Sequence, residues 1–232
     1  MPHLHFQKIL LLDNFDSFTY NLVDFFKITG CQVVVVRNNV PLKEIQQQDF
    51  DLLVLSPGPS IPKNSGNLLR VIEYFATRKP IFGVCLGLEA LVEFFGGQLQ
   101  FVMPMHGKSS VIAHDGQTIF KNLPPNFLAG RYHSLATKQV PKCFQVSATL
   151  SDQQQAPEIP ASAGMTVGAG MPNVTNNQKP TTNNQTLTMA LRHRELPIEA
   201  VQFHPESVLT MSGECGQKMI QNVVTEEFGP QN

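Results

Sequence analysis

The chain has 232 residues, of which 42% are hydrophobic and 15% charged, and its formal net charge is -1. This length is enough for one large domain or two small ones with a hydrophobic core. The nearly neutral charge argues against nucleic acid or an anionic membrane as the main partner, and against an acidic, disordered protein.

The first half of the sequence alternates segments typical of strands and of helices. This alternation predicts an α/β fold of three layers, in which a mostly parallel central sheet has helices on both faces. The four consecutive valines at 33–36 indicate a strand that is buried on both of its faces. The predicted strands are residues 8–13, 32–37, 51–56 and 81–84, and the predicted helices are residues 17–28, 67–77 and 86–95.

The second half of the sequence changes to short apolar segments separated by turns. This pattern predicts an antiparallel extension of the sheet. A turn at residues 195–197 joins two of these strands, and the last helix is predicted at residues 213–227. The predicted strands are residues 101–102, 110–113, 144–150, 187–192 and 199–202.

Residues 151–186 differ in composition from the rest of the chain. They contain no aromatic residue and only three charged ones, and they are rich in Gln, Asn, Pro, Thr and Gly. They separate two strand-like segments that would otherwise form a hairpin. We interpret them as a low-complexity insertion in a surface loop, with a partner-binding arm as the alternative. The chain is then a single domain, residues 1–232, that contains this insertion.

The most specific local pattern is Gly-Val-Cys-Leu-Gly at residues 83–87, between a predicted strand and a predicted helix. It matches the nucleophile elbow G-x-S-x-G with cysteine in place of serine. The strand places Cys85 at the carboxyl edge of the sheet, where α/β proteins bind ligands. The helix N-terminus favours the thiolate by lowering the pKa of the thiol, and the N–H of Leu86 can stabilise an oxyanion. The alternative is a buried structural cysteine, which the pentapeptide alone does not exclude.

A cysteine nucleophile needs a base and a group that orients the base. Among the seven histidines, His204 directly follows an apolar strand and begins the tripeptide His204-Pro205-Glu206. The proline fixes the backbone, so Glu206 can accept a hydrogen bond from one ring nitrogen while the other faces a thiol. The elbow and this corner together predict a catalytic triad of Cys85, His204 and Glu206.

These motifs resemble those of the class I glutamine amidotransferases of the Cys-His-Glu type. The elbow, the His-Pro-Glu-Ser corner at residues 204–207 and the Ser-Pro-Gly-Pro loop at residues 56–59 stand at the places expected for that family. Two further stretches, Asp-Asn-Phe-Asp-Ser-Phe-Thr-Tyr-Asn at residues 13–21 and Met-His-Gly-Lys at residues 105–108, are similar to the glutaminase subunits of anthranilate synthase and aminodeoxychorismate synthase.

The resemblance, which covers residues 8–150 and 187–225, implies that the chain hydrolyses glutamine. Cys85 would attack the side-chain amide of L-glutamine, with His204 moving protons and Glu206 orienting it. The products would be ammonia and a glutamyl thioester that water hydrolyses.

The resemblance also implies a substrate site that is built largely from backbone groups. The N–H groups of Gly58 and Leu86 would form the oxyanion hole. The backbone around Ser134 and Leu135 would position the glutamine. These four residues, together with Glu89 as a fifth, are the substrate-binding residues that the resemblance implies.

The sequence departs from the family just after the nucleophile. The family usually has Leu-Gly-His-Gln or Leu-Gly-Gln-Gln there, whereas this chain has Leu-Gly-Leu-Glu at residues 86–89. The second glutamine of the family helps to hold the substrate. Glu89 is one helical turn after Cys85 on the same face. Its carboxylate would repel the substrate carboxylate and disfavour the thiolate, or else pair with the substrate ammonium. We expect a reduced affinity for glutamine but an active site.

Ammonia release requires a recipient, and no synthase domain fits within this length. The resemblance implies a separate chorismate-binding synthase subunit, which makes anthranilate or 4-amino-4-deoxychorismate. The loop at residues 105–110 is the candidate contact, with an ordinary surface turn as its alternative. Two other functions stay open. One is a degenerate subunit that only regulates the synthase, suggested by Leu88 and Glu89. The other is a different cysteine hydrolase, such as a γ-glutamyl hydrolase, against which residues 14–21 argue.

The sequence predicts no cofactor and no metal in this chain, because it has no P-loop, no G-x-G-x-x-G motif and no cluster of potential ligands at metal-binding spacing. The four cysteines are scattered, so we expect neither a disulfide framework nor a zinc knuckle. The sequence shows no apolar run long enough for a membrane span and no secretory signal, which makes the cytoplasm the expected location.

Overall fold

The computed structural model describes residues 5–151, 187–226 and 228. The predicted insertion lies outside the described residues, apart from Ser151. The strands are β1 Lys8–Asp13, β2 Gln32–Arg37, β3 Leu52–Leu55, β4 Ile81–Val84, β5 Gln98–Phe101, β6 Lys108–His114, β7 Asn126–Arg131, β8 Leu135–Gln139, β9 Phe144–Leu150, β10 Thr188–His193 and β11 Ile198–Val201.

Five α-helices and four short 3₁₀ helices accompany these strands in the described part of the chain. The α-helices are α1 Thr19–Ile28, α2 Leu42–Gln46, α3 Leu68–Phe75, α4 Leu86–Phe94 and α5 Cys215–Thr225. The 3₁₀ helices are Pro62–Asn64, Thr118–Phe120, Val208–Thr210 and Ser212–Glu214.

The main sheet contains nine strands in the order β2-β1-β3-β4-β11-β10-β9-β6-β7. The strands from β2 to β11 are parallel, and β10, β9, β6 and β7 continue the sheet with antiparallel pairs. β9 and β10, which flank the predicted insertion, pair with each other. The strands β5 and β8 form a separate antiparallel pair. The predicted α/β fold with an antiparallel extension is therefore confirmed.

The central sheet is buried between two layers of helices. Side chains of a strand point alternately to opposite faces, so Ile9 and Leu11 of β1 belong to one apolar core, and Leu10 and Leu12 belong to the other. The buried faces of α1 and α5 complete the first core, and those of α2, α3 and α4 complete the second. The central parallel strands β1, β3, β4 and β11 are thus covered on both faces.

The prediction that strand 32–37 is buried on both faces is wrong. β2 lies at the edge of the sheet and pairs only with β1, and Val34 is 47% exposed. Four valines favour a strand in either position, because β-branched residues suit any pleated surface. The strand predicted at residues 101–102 overlaps only the last residue of β5. The structure also contains three elements that were not predicted: α2, β7 and β8.

In the part of the chain that the structure describes, no helix is both long enough and apolar enough to cross a membrane.

Candidate active site

Cys85 occupies a strained turn between β4 and α4. Its φ is 53° and its ψ is -103°, a conformation that non-glycine residues rarely adopt and that is typical of functional sites. The turn has no room for side chains on either flanking glycine. A Cβ atom on Gly83 would lie 2.8 Å from the backbone of Gly87, and one on Gly87 would lie 2.6 Å from the carbonyl oxygen of Leu55. This geometry is the tight strand-to-helix turn that a nucleophile elbow requires.

His204 and Glu206 follow β11, the parallel neighbour of β4, and therefore lie at the same edge of the sheet as Cys85. His204 Nδ1 donates a hydrogen bond to Glu206 Oε1 over 2.7 Å, and both side chains are buried. The rings of Phe18 and Tyr132 pack against the imidazole, with centroids 5.5 Å and 5.0 Å away. Among the described residues, Nε2 of His204 has no partner at full hydrogen-bond geometry, but the imidazole and the Cys85 thiol interact with each other, so this nitrogen is available to the thiol and the substrate.

The charges around Cys85 act in opposite directions. Burial raises the pKa of the Cys85 thiol, His204 lowers it, and Glu89 and Asp16 raise it further. The lowering that the helix N-terminus predicts is therefore outweighed by burial. For His204, burial lowers the pKa, but Glu206 and Cys85 outweigh this effect and raise it well above the ordinary value. The imidazole is thus held ready to carry a proton beside the thiol.

The loop that carries Gly58 packs directly against the first residue of α4. A Cβ atom on Gly58 would lie 2.6 Å from Cβ of Asn14 and 2.7 Å from Cδ2 of Leu86. The loop is held by buried hydrogen bonds: Asn14 donates its backbone N–H to Ser56 Oγ and its side-chain amide to Ser56 O. Asn38 in turn donates to Asn14 Oδ1 over 2.9 Å. The structure therefore brings together Gly58 and Leu86, the two predicted oxyanion-hole residues.

Ser134 and Leu135 lie at the start of β8, and a buried pair of side chains fixes this segment. His133 donates from Nδ1 to the carbonyl oxygen of Leu135 over 2.6 Å, and Nε2 of His133 accepts a hydrogen bond from Arg131 Nε over 3.1 Å. Burial, aided by Arg131, lowers the pKa of His133 to about 4, which keeps the ring neutral and suits this arrangement. The charge of His204 also acts on His133, so this segment lies close to the triad.

Gln202 is a site residue that the sequence analysis missed. Its side chain is fully buried, and its Nε2 atom lies 3.8 Å from Cys85 Sγ and 3.0 Å from Glu89 Oε1. The signal was present in the sequence: Gln202 is a polar residue inside an apolar run, two positions before His204. In extended backbone, residues two apart face the same side.

Glu89 is also buried, and it contacts the nucleophile's own turn: its N–H donates to the carbonyl oxygen of Cys85 over 3.0 Å. Burial raises the pKa of Glu89 to about 7, whereas the hydrogen bond from Gln202 and the charge of His204 act to lower it. The carboxyl group is therefore poised between its neutral and charged forms near neutral pH.

The described residues contain no group of three or more His, Cys, Asp and Glu side chains that could hold a metal ion. All four cysteines are free thiols. Cys31 contacts Thr29 and Phe6, and Cys215 begins α5.

A family model described as glutamine amidotransferase class-I matches residues 10–169 and 172–226. The chain is 39% identical over 228 residues to anthranilate synthase component 2 of Methanocaldococcus jannaschii, covering 96% of this chain and 98% of that protein. It is 40% identical over 220 residues to aminodeoxychorismate/anthranilate synthase component 2 of Bacillus subtilis, covering 93% and 95%.

Among solved structures, the fold is similar to that of a Thermoplasma acidophilum protein described as a candidate GMP synthase component. The TM-score is 0.70, and the match covers 95% of this chain and 93% of that chain. The two sequences are 20% identical, so this comparison supports the fold.

Proposed function

This chain belongs to the class I glutamine amidotransferase family, and from this premise we propose that it is a glutaminase subunit that delivers ammonia to a separate chorismate-binding synthase. The family predicted from the motifs is confirmed by the family model and by the relatives. Relatives named component 2 of anthranilate synthase, or of both synthases, support the role as a subunit. The observation that carries the glutaminase proposal is the buried 2.7 Å contact between His204 and Glu206, at the sheet edge where Cys85 turns into α4.

The proposed reaction begins when His204 takes the proton of the Cys85 thiol. The thiolate attacks the side-chain amide carbon of glutamine, and the N–H groups of Gly58 and Leu86 stabilise the resulting oxyanion. His204 then returns the proton to the departing nitrogen, which leaves as ammonia, and a glutamyl thioester remains. Water, deprotonated by His204, attacks the thioester carbon and releases glutamate and the thiol. Glu206 keeps the imidazole oriented and stabilises its charged form.

The proposed substrate site combines backbone and side-chain groups. Ser134 and Leu135 would bind the amino-acid end of glutamine, and the hydrogen bonds of His133 and Arg131 keep that segment in one conformation. Glu89 would close the site beside the nucleophile. Because its carboxyl group replaces an amide of the family, we propose that glutamine binds less tightly than it would to an amide at the same position.

The proposed contact with the synthase is residues 105–110. The whole segment was predicted to be a loop, but residues 108–110 belong to β6, and the loop at residues 105–107 lies beside residues 131–133. The N–H of Met105 donates to the carbonyl oxygen of His133, and the N–H of Gly107 donates to that of Arg131. Met103, just before the loop, is 74% exposed. Phe101, two residues earlier, is 79% exposed, and two exposed apolar side chains beside the proposed site fit contact with a partner that receives ammonia. A cytoplasmic location, where thiols stay reduced, would suit a cysteine nucleophile.

The proposal is tested by copurification with a chorismate-binding synthase from the same organism, followed by product formation from chorismate and glutamine. Fluorescence distinguishes anthranilate from aminodeoxychorismate. In parallel, a glutamine-analogue alkylating agent should label Cys85 but not Cys143, which mass spectrometry detects. A regulatory subunit without activity would copurify with the synthase but leave Cys85 unlabelled. The absence of partner, glutaminase activity and labelling together would overturn the proposal.

A further inference from the structure

Two buried polar side chains meet beside the proposed nucleophile. Glu89 reaches the site from the first turn of α4, and Gln202 reaches it from the end of β11. A single nitrogen, Nε2 of Gln202, lies within hydrogen-bond distance of both Glu89 Oε1, at 3.0 Å, and Cys85 Sγ, at 3.8 Å. Because an amide nitrogen carries two hydrogens, Gln202 can donate to the carboxyl group and to the sulfur at the same time.

The polar atoms of Glu89 and Gln202 are not all paired, unlike those of an ordinary protein core. Among the described residues, Oε1 of Gln202 is buried without a hydrogen-bond partner, and no lysine or arginine forms an ion pair with Glu89. Buried acceptors are nearly always paired, and buried carboxylates are costly without a cation. Among the described residues, the imidazole of His204 is the cation that acts on this carboxyl group. An open acceptor and a carboxyl group that share the nucleophile's own base therefore indicate a functional arrangement.

The titratable and charged groups that face Glu89 come from two elements. Cys85 lies at the start of α4, the helix that carries Glu89, and His204 follows β11. The charge of His204 acts on Glu89, and the charges of Glu89 and His204 act on Cys85. Asp16, which precedes α1, also acts on the thiol. When Glu89 is neutral, His204 and Gln202 both favour the thiolate. When Glu89 is charged, its negative charge opposes the thiolate, and it competes for the N–H groups of Gln202.

We propose that Glu89 and Gln202 are positioning residues that together make the reactivity of Cys85 depend on the protonation of Glu89. This inference rests on the proposed function, because it assumes that Cys85 is the nucleophile. The carboxyl group acts on the sulfur directly through its charge and indirectly through the shared Gln202 amide. Because Glu89 is buried, it ionises near neutral pH. Above that pH its negative charge makes the thiol of Cys85 harder to deprotonate.

The test is the rate of Cys85 alkylation by iodoacetamide as a function of pH in the full-length protein, followed by mass spectrometry. The reagent is neutral and needs no glutamine, so the readout does not depend on turnover. Three variants are compared with the unmodified chain: Glu89→Gln, Gln202→Met and, as a matched control, Glu93→Gln. Glu93 lies one turn further along α4 and pairs with Lys63. Thermal unfolding confirms that each variant is folded.

We expect an inflection in the logarithm of the rate near the pKa of Glu89 in the unmodified chain and in the Glu93→Gln variant. The Glu89→Gln variant should lack this inflection and react about three to ten times faster above it, the range expected for removal of one nearby negative charge. In Gln202→Met the inflection should move to higher pH, because the hydrogen bond that favours the charged carboxylate is lost. A purely structural pair would change the unfolding temperature without moving the inflection.

Two outcomes would overturn the inference in distinguishable ways. If Cys85 reacts but the profiles of the unmodified chain and of Glu89→Gln coincide, the pair does not control the thiol, while the proposed nucleophile stands. If Cys85 is not alkylated in any of the four proteins, the proposed function fails together with the inference. Either Glu89→Gln or Gln202→Met alone is sufficient if the other variant does not fold.

Discussion

Val84 and Val201 lie opposite each other in register, at the ends of the adjacent parallel strands β4 and β11. Immediately beyond them, the N–H of Cys85 donates to the carbonyl oxygen of Val201 over 2.8 Å. The two strand ends are thus tied together where one chain segment turns into α4 and the other continues to His204. This single register joins residues that are more than a hundred positions apart in the sequence, and it determines where a nucleophile and its base can meet.

Replacement of the nucleophile should separate the two sources of nitrogen that a synthase complex uses. We expect Cys85→Ala to lower the glutamine-dependent rate by at least about 10³-fold, since the covalent route is removed. The rate with ammonium salts should remain, because the synthase then needs no glutaminase. Product formation with each nitrogen source measures the ratio, and Cys143→Ser serves as the control. Equal losses with both sources would contradict the assignment.

The role of Glu206 has a pH signature. The carboxylate of Glu206 raises the pKa of His204, whereas burial lowers it. Without this carboxylate the pKa of His204 should fall, so the imidazolium form is lost at a lower pH than in the unmodified chain. We expect Glu206→Gln to reduce kcat/KM by about 10²- to 10⁴-fold. Because the imidazolium stabilises the thiolate of Cys85, its loss should slow the alkylation of Cys85 at neutral pH. An unchanged profile would mean that Glu206 only supports the local backbone.

Gly58 should be intolerant of a single added carbon. In Gly58→Ala the new Cβ atom would lie 2.6 Å from Cβ of Asn14 and 2.7 Å from Cδ2 of Leu86, so the loop must move away from α4. Displacement of an oxyanion donor typically costs about 10²- to 10³-fold in kcat. Steady-state glutaminase kinetics check this. Gly116→Ala controls for backbone strain alone, since Gly116 has a φ of 73° that any side chain strains, while its added Cβ would meet no atom within 4 Å. Full activity of Gly58→Ala would remove Gly58 from the oxyanion hole.

The substitution at position 89 predicts a change in substrate affinity that is separate from its effect on the thiol. If the carboxylate repels the substrate carboxylate, Glu89→Gln should lower the Michaelis constant for glutamine, and more strongly above the pKa of about 7 than below it. Glutaminase kinetics at two pH values, with Glu93→Gln as the comparison, test this. A Michaelis constant that stays the same at both pH values would refute the repulsion.

A buried ion network holds the two strands that lead into the site. Arg192 of β10 is almost fully buried and donates to Glu199 of β11 and to Asp115. We expect Arg192→Met to lower the free energy of unfolding by about 3–5 kcal/mol, because it leaves a charged group buried without its partner. Urea denaturation measures the difference. Arg194→Met, which removes an exposed arginine two positions away, should change stability by about 0.5 kcal/mol or less.

The local parts of the site could be predicted from the sequence, because their geometry depends on neighbouring residues. Gly83 and Gly87 require a tight turn around Cys85, and Pro205 constrains the corner at His204. Combining the elbow and the corner predicted the triad, but the sequence could not show how the two parts meet, because that depends on the pairing of β4 with β11. Gln202 was missed for the same reason, because its partner Glu89 comes from another element.

The position of a strand within the sheet was not readable from composition. The valines of β2 suit an edge as well as a centre, whereas the short runs of β3 and β4 are in fact central. The strands β7 and β8 were missed because their apolar residues do not alternate strictly, and polar and small residues occupy part of each segment. These segments are strands because they pair with β6 and β5, and such pairing cannot be read from either segment alone.

The pairing of β9 with β10 has a consequence for how this chain can change in length. The N–H of Leu150 donates to the carbonyl oxygen of Leu187, and the N–H of Gln202 donates to that of Met189, so the chain leaves and re-enters the sheet at the edge that carries the triad. Lengthening a connection between two paired strands costs only about 0.6 kcal/mol per doubling. This hairpin is therefore a natural point at which to graft a reporter or binding peptide within reach of the active site, without disturbing the sheet that builds it.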